Sequence, residues 1–423
     1  MTSTSTRTQA PAAGEATGPF AWYRTMPQQG RRAFKGAFGG YALDSYDFLV
    51  LPMGMVAIAA YFGLTTAQTG LLTTVTLLAS ALGGVLAGLL IDRVGRVKTL
   101  MITVATFAVF TVACGFSVNY PMLLTLRTLQ GIGFGGEWAA GAILVAEYAA
   151  PRYRGRVLAW VQSAWAAGWA LAVIAGTTVM DNVDPDLAWR ILFWTGALPA
   201  LLLIYVRRNV ADAPEVAQRL ATKEDRVPLS TVFTGGLARK TLFATLLSTG
   251  VMGGYYTFAT WLPAYLKTSR GLSVVGTSGY LSVLITGAFC GYITGGHVVD
   301  RIGRKKAFAL FAFLSAGLLM AYVNIPEGSN SLLLILGFPL GFSASAIFSG
   351  FGSYLAELYP HTVRGTGQSF TYNVGRALGS IFPTAVGFSS AGVGGALVYG
   401  AVGYALALLA LLGLPETKGT DLD

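Results

Sequence analysis

The nonapeptide Gly88-Leu-Leu-Ile-Asp92-Arg93-Val-Gly95-Arg96 returns 208 residues later as Gly296-His-Val-Val-Asp300-Arg301-Ile-Gly303-Arg304. Each copy joins one long apolar run to the next. A second pair of matches follows: Glu147, Arg154 and Gly155 recur as Glu357, Arg364 and Gly365, offset by 210. Two independent motif pairs at nearly one offset mean that the chain is built from two homologous halves. Any fold proposed for it must be made twice.

The medium around that fold follows from composition. Of 423 residues, 54% are hydrophobic and 11% charged, with a mean hydropathy of +0.59. A soluble protein carries about 25% charged residues, so most of this surface must face lipid. The apolar runs predict an all-α integral membrane protein of twelve spans, each the length a bilayer requires. They are placed at 37–60, 68–90, 99–116, 121–147, 157–179, 190–207, 241–265, 274–297, 306–323, 331–356, 367–390 and 394–414. This gives a six-helix bundle over 37–207, a central loop over 208–240, a second bundle over 241–414, and short terminal segments at 1–36 and 415–423.

Charge sets the orientation. Of the 29 Lys and Arg residues, 24 fall on the connections and termini of one side. The opposite side holds Arg190, Lys267 and Arg270 beside Asp181, Asp184 and Asp186. The positive-inside rule then predicts a multi-pass cell-membrane protein with both termini cytoplasmic. The net charge of +10 is thereby topological, not a nucleic-acid footprint. Residues 1–20 are rich in Ser, Thr, Ala, Gly and Pro without an apolar core, so they read as a disordered tail and not a signal peptide. Cys114 and Cys290 both fall within spans, and no zinc, phosphate-loop or catalytic-triad spacing occurs. No enzyme, metal or cofactor is expected, and an uphill process would draw on an ion gradient.

Five ionisable residues lie well inside spans: Asp44, Asp47, Arg127, Glu137 and Arg376. A charge at mid-bilayer costs at least about 2.5–3.5 kcal/mol, so such residues face a cavity and a partner. None has an equivalent in the other half. The shared residues build the scaffold; the unshared ones are the candidates for function. Asp44 and Asp47, three apart, share a helix face, and two carboxylates that close in a low dielectric resist ionising together. Arg127 remains charged at any accessible pH and is expected to pair with a span-1 carboxylate, an exchange that could couple a proton to a conformational change.

The G-x-x-x-D-R-x-G-R hairpin in both halves resembles the signature of the major facilitator superfamily, over nearly the whole chain after the tail. The resemblance implies two pseudo-symmetric six-helix bundles that rock about a central site. It also implies a cytoplasmic gate formed by Gly88, Asp92, Arg93, Arg96, Glu147 and Arg154 with Gly296, Asp300, Arg301, Arg304, Glu357 and Arg364. Within span 1, Asp44-Ser-Tyr-Asp47-Phe48, and within span 4, Arg127-Thr-Leu-Gln130-Gly131-Ile-Gly133-Phe-Gly135-Gly136-Glu137-Trp138, resemble sialate:proton and related organic-acid:proton symporters. That similarity implies Asp47 with Arg127 as the proton-coupling pair, joined by Asp44 and Glu137. Ser45 stands where aromatic-acid symporters usually carry glycine, and 250–266 lacks the histidine of lactate-type carriers.

Arg376 lies about ten residues into span 11, beyond easy snorkelling reach of either boundary. A permanent guanidinium there fits an anionic substrate group held through two hydrogen bonds. Around it the candidates are Gln162, Trp165 and Trp169 on one face of span 5, Tyr255, Tyr256 and Phe258 on span 7, and Tyr372 and Asn373 on span 11. The expectation is a monomeric, proton-driven importer of a carboxylate-bearing metabolite. The alternatives are a proton-coupled sugar or aromatic-acid symporter, or a drug:proton exporter.

Overall fold

The computed structural model describes residues 20–149, 153–211, 229–360, 363–386 and 397–418, and among these it is helical with no strand. Among the described residues, twelve longer helical segments follow a single turn of helix at Ala21–Arg24. The first six are α1 Gln28–Phe62, α2 Thr66–Val94, α3 Arg96–Cys114, α4 Tyr120–Tyr148, α5 Arg154–Asn182 and α6 Pro185–Asn209. The second six are α7 Gly235–Ala264, α8 Val274–Ile302, α9 Arg304–Val323, α10 Asn330–Leu358, α11 Arg364–Gly379 continued by Ile381–Val386, and α12 Val398–Leu412. Eight of them are long and apolar enough by themselves to cross a bilayer.

Local chemistry fixes their ends. Asn119 accepts the Met122 N–H at 2.9 Å and Pro121 opens the first turn of α4; Asp184 with Pro185 does the same for α6, and Ser273 for α8. The glycine of the repeated hairpin has a strict reason. Gly95 and Gly303 precede α3 and α9 at φ +94° and +99°, a backbone that L side chains rarely adopt.

Packing repeats as the sequence does. In the first half α2 lies on α4, α3 on α4 and α1 on α5; in the second, α8 lies on α10, α7 on α11 and α12, and α9 on α12. Glycines permit the closest approaches: a Cβ on Gly135 would stand 1.7 Å from the Ser80 carbonyl oxygen, and one on Gly341 1.9 Å from that of Leu284. Outward, large apolar side chains stand free, among them Leu82, Val109, Ile174, Leu201, Phe313, Ile335 and Leu409. An apolar exterior of this extent belongs in lipid. The halves meet along α5 and α8, α2 and α11, and α1 and α7. Helix α7 is the most enclosed, with every residue from Leu247 to Ala264 buried.

Several boundaries differ from the sequence expectation. Residues 28–36, within the terminal segment placed before the first span, form the first turns of α1, with Gly30, Ala33 and Gly36 buried there. Trp22 and Met26, just before it, are buried as well. Helix α6 begins five residues early and is interrupted by a 3-10 turn at Thr195–Ala197. Most of the central loop and the expected end of span 11 lie outside the described residues.

Candidate functional site

All five charges predicted within spans are buried, and no other charged side chain among the described residues is buried. They form two groups, although Asp44 and Asp47 are less than one helical turn apart.

The first group is hydrogen-bonded in part, with Asp47 Oδ1 and Arg127 Nε and Nη2 buried without a partner. Asp47 Oδ2 accepts from Thr111 Oγ1 at 2.5 Å and from Gln130 Nε2 at 2.6 Å, and Gln130 Nε2 also reaches Thr111 at 2.7 Å. Arg127 Nη1 donates to Gln130 Oε1 at 2.5 Å. Arg127 therefore meets Asp47 through Gln130 instead of by the direct ion pair expected from sequence. No ion pair within 4.0 Å joins Arg127 to Asp47, whereas Arg304 pairs with Asp300 and Glu357. The amide spans the gap because Arg127 and Gln130 are three apart on α4 and so project together. Thr111, from α3, carried no sequence signal.

The second group is open. Asp44 Oδ1, both carboxylate oxygens of Glu137 and Nε of Arg376 are buried without a hydrogen-bond partner. The charged groups around Asp44 are Glu137, Arg376 and Asp47. Glu137 lies against the backbone of α1: a Cβ on Gly40 would stand 2.3 Å from Glu137 Oε1. Unpartnered buried polar atoms are uncommon and call for an explanation, and here four of them converge on one place.

Aromatic rings form its walls. The Arg376 guanidinium lies 5.1 Å from the Tyr372 ring centroid, on its own helix, and 5.6 Å from that of Phe134, on α4 in the other half. Phe48 touches Phe134 at 5.3 Å and Tyr256 at 5.6 Å; Trp165 touches Tyr41 at 5.4 Å and Tyr255 at 6.4 Å. Gln162 Nε2 donates to Tyr41 Oη at 3.2 Å. Trp169 and Phe258 extend the same wall. Of the predicted binding residues, the structure thus brings Arg376, Gln162, Trp165, Tyr255, Tyr256 and Tyr372 together. It does not bring Asn373: that side chain donates to the Ser369 carbonyl at 3.0 Å and fits against Gly84 of α2, at the seam between the halves. Tyr41, Phe48 and Phe134 complete the cage without having been singled out.

The seam is shut at both levels. Toward the end away from the hairpins, Thr74 of α2 hydrogen-bonds the Ser380 carbonyl at 2.5 Å and Thr384 at 2.6 Å, and Thr177 of α5 hydrogen-bonds Ser278 of α8. Toward the hairpin end, Trp160 and Phe289 join the same two helices, their rings 6.1 Å apart.

At the predicted gate, the second copy is the one described. Arg304 grips Glu357 through Nε and Nη2, at 2.8–3.2 Å, and reaches Asp300 at 3.2 Å. The C-terminal segment joins it: Thr417 donates to Glu357 at 2.6 Å, and Glu416 accepts the backbone N–H groups of Arg304 and Lys305 at 2.8 and 3.2 Å. Burial alone would raise the Glu416 carboxyl, but four backbone N–H donors outweigh it and hold the group below its ordinary value. Arg301 offers only its carbonyl, to Lys418, and Gly296 has open space around it. Gly88 and the side chains of Asp92, Arg93, Glu147, Arg154 and Arg364 lie outside the described residues, and Arg96 is engaged by a neighbour.

Two bundles of lipid-facing helices that meet around buried charges and aromatic rings have the architecture of a membrane transporter. The Major Facilitator Superfamily model matches residues 37–384 and 283–421, and the chain belongs to that superfamily. It is therefore a transporter and not an enzyme. It is 38% identical over 409 residues to a probable 4-methylmuconolactone transporter of Cupriavidus pinatubonensis, covering 96% of this chain and 95% of that one. It is 30% identical over 373 residues to the cis,cis-muconate transport protein of Acinetobacter baylyi, covering 85% and 87%. Among solved structures it resembles a D-xylose–proton symporter with a TM-score of 0.72 at 22% identity, over 93% of this chain and 99% of that one, a likeness of fold.

Proposed function

We propose that this transporter is a proton-coupled symporter that carries a carboxylate-bearing metabolite, a small organic acid, across the cell membrane by alternating access. Arg376 carries the reading: a guanidinium buried at mid-span, lined by aromatic rings from both halves, with Nε unpartnered. Such a group fits a carboxylate that supplies the missing acceptors in bidentate geometry. Asp44, Asp47 and Glu137 supply carboxylates for proton coupling, with Arg127 as the partner of Asp47 through Gln130. The relatives named for 4-methylmuconolactone and cis,cis-muconate, and others named for niacin and sialic acid, support an organic-acid substrate. The distribution of Lys and Arg supports cytoplasmic termini.

Phe134 reaches Arg376 from the opposite half, so a ligand held there touches both bundles and favours the closed seam over either open one. An uncharged sugar has no use for that guanidinium. Counterflow of carboxylates set against their neutral analogues, in proteoliposomes with and without an inward proton gradient, tests the reading. Carboxylate uptake that the gradient drives supports it; uptake of the neutral analogues alone refutes it.

A further inference from the structure

Arg376 is not the only group of the aromatic cage without a partner. Trp165 Nε1, on α5, and Tyr255 Oη, on α7, are buried and make no hydrogen bond. Their ring centroids lie 6.4 Å apart, and they come from opposite halves of the chain. An indole N–H can only donate, and a phenol hydrogen needs an acceptor. Were the indole to donate to the phenol oxygen, the phenol hydrogen would still need one. Phe48 and Phe134 lie against Trp165, and Phe258 and Phe348 against Tyr255, and phenyl rings bring no such acceptor. Two adjacent buried donors therefore call for an acceptor from elsewhere.

Rings also join these donors to Arg376. Phe134 lies 6.2 Å from Trp165 and 5.6 Å from the Arg376 guanidinium. Phe48 stacks on Phe134 at 5.3 Å and stands 6.0 Å from Trp165. Between the guanidinium and the indole the wall is thus flat and apolar. It suits a planar spacer, and a polar group placed midway would lose water against phenyl rings without gaining a partner.

Resting on the carboxylate reading above, we propose that the site has two poles: Arg376 takes a carboxylate, and Trp165 with Tyr255 forms a second subsite for a hydrogen-bond acceptor at the far end of the same molecule. The substrate class is then a planar, unsaturated or aromatic acid whose other end carries a carbonyl, ester or second carboxylate oxygen. A plain hydrocarbon acid leaves both donors unmet, and a site built to hydrogen-bond a group discriminates strongly against an analogue that lacks it. An acceptor held by both residues also ties the halves together at this pole.

Matched acids that differ only at the far end test this on the purified full chain, with affinity read from the ligand-dependent rise in Tm. The pairs are 4-acetylbenzoate with 4-isopropylbenzoate, equal in charge and shape, and trans,trans-muconate with sorbate. Wild type should bind the acceptor-bearing member of each pair about 10-fold or more tightly than its partner. Trp165→Phe, which keeps a ring and removes the N–H, should narrow that ratio to about 3-fold or less by weakening the acceptor-bearing member alone. Tyr255→Phe should narrow it likewise, and Arg376→Leu should abolish binding of both members.

Equal affinities within each pair in wild type would overturn the second subsite, even where a variant does not fold. A ratio that survives both Trp165→Phe and Tyr255→Phe would overturn it too, as would an equal loss for both members, the mark of a packing role. If none of the four acids binds while nicotinate or N-acetylneuraminate is still exchanged in proteoliposomes, this inference falls and the carboxylate reading stands. If no carboxylate is bound or exchanged, both fall.

Discussion

Asp44 and Asp47 sit on one face of one helix, three residues apart, and are equally buried, yet only Asp47 is anchored by hydrogen bonds, and on one oxygen alone. Asp47 is met by a hydroxyl and an amide, and through the amide by a guanidinium. Asp44 has an oxygen without a partner and faces Glu137, whose two oxygens have none. Burial does not separate them; anchoring does, because Asp47 is held on Oδ2 while its Oδ1 has no partner, whereas no side-chain hydrogen bond among the described residues holds Asp44.

Substitutions can break or sharpen that contrast. The largest effect is expected for Arg376→Leu, which removes the only cation of the open group. Carboxylate counterflow should fall by about 100-fold or more, the scale of losing a buried charge partner, while the purified protein remains monodisperse. Arg376→Lys keeps the charge without the fork, and a loss of about 10-fold, read as a rise in the half-saturating concentration, is expected. Next comes the Asp47 group. Gln130→Ala strands Asp47 and Arg127 together, and a loss of about 1–3 kcal/mol in stability is expected for the unsatisfied groups, seen as a lower Tm in detergent. An unchanged Tm would mean that Gln130 is not the bridge. A smaller and more selective effect is expected at Gly40→Ala, whose Cβ would meet Glu137 Oε1 at 2.3 Å. The carboxylate end must swing aside, so the pH profile of uptake should move with little change in Tm.

The smallest effect belongs to the C-terminal segment. The Glu416 carboxyl is held below its ordinary value, so its stabilising contribution is present above about pH 4.3, the unfolded carboxyl value. It is lost as pH falls through the lower folded value. Glu416→Gln should remove that pH dependence, and because the group is largely exposed the change in Tm at neutral pH should be slight.

What could be read in the sequence follows from what is local and what is not. The repeat, the span count and the five buried charges are properties of the chain itself, and so is the glycine of each hairpin, whose positive φ explains its presence at both 95 and 303. The first turns of α1 are hidden in the sequence by Arg31, Arg32 and Lys35, which break the apolar pattern, although a helix extending past the bilayer tolerates them. Partnership was harder to see. Thr111 lies 64 residues from Asp47, and nothing in a stretch of threonines and apolar residues marks one hydroxyl as an acceptor's partner. Gln130 was visible within its motif, yet its role as a bridge depends on the spacing between α1 and α4. Asn373 was grouped with Arg376 by proximity in sequence, but neighbours on a helix point different ways, and Gly84 leaves room that draws it to the seam. Glu416 and Thr417 looked like a short tail, and only the folded chain brings them to Arg304 and Glu357.

The measurement that most directly tests the central claim is counterflow of radiolabelled nicotinate, N-acetylneuraminate and cis,cis-muconate, beside nicotinamide and D-xylose, by wild type and Arg376→Leu. Exchange of at least one carboxylate, no exchange of the neutral compounds, and loss of the carboxylate signal in the variant are the predicted results. Exchange of a neutral compound that survives in Arg376→Leu, with no carboxylate exchanged by wild type, would contradict the account and leave Arg376 as a brace between the halves.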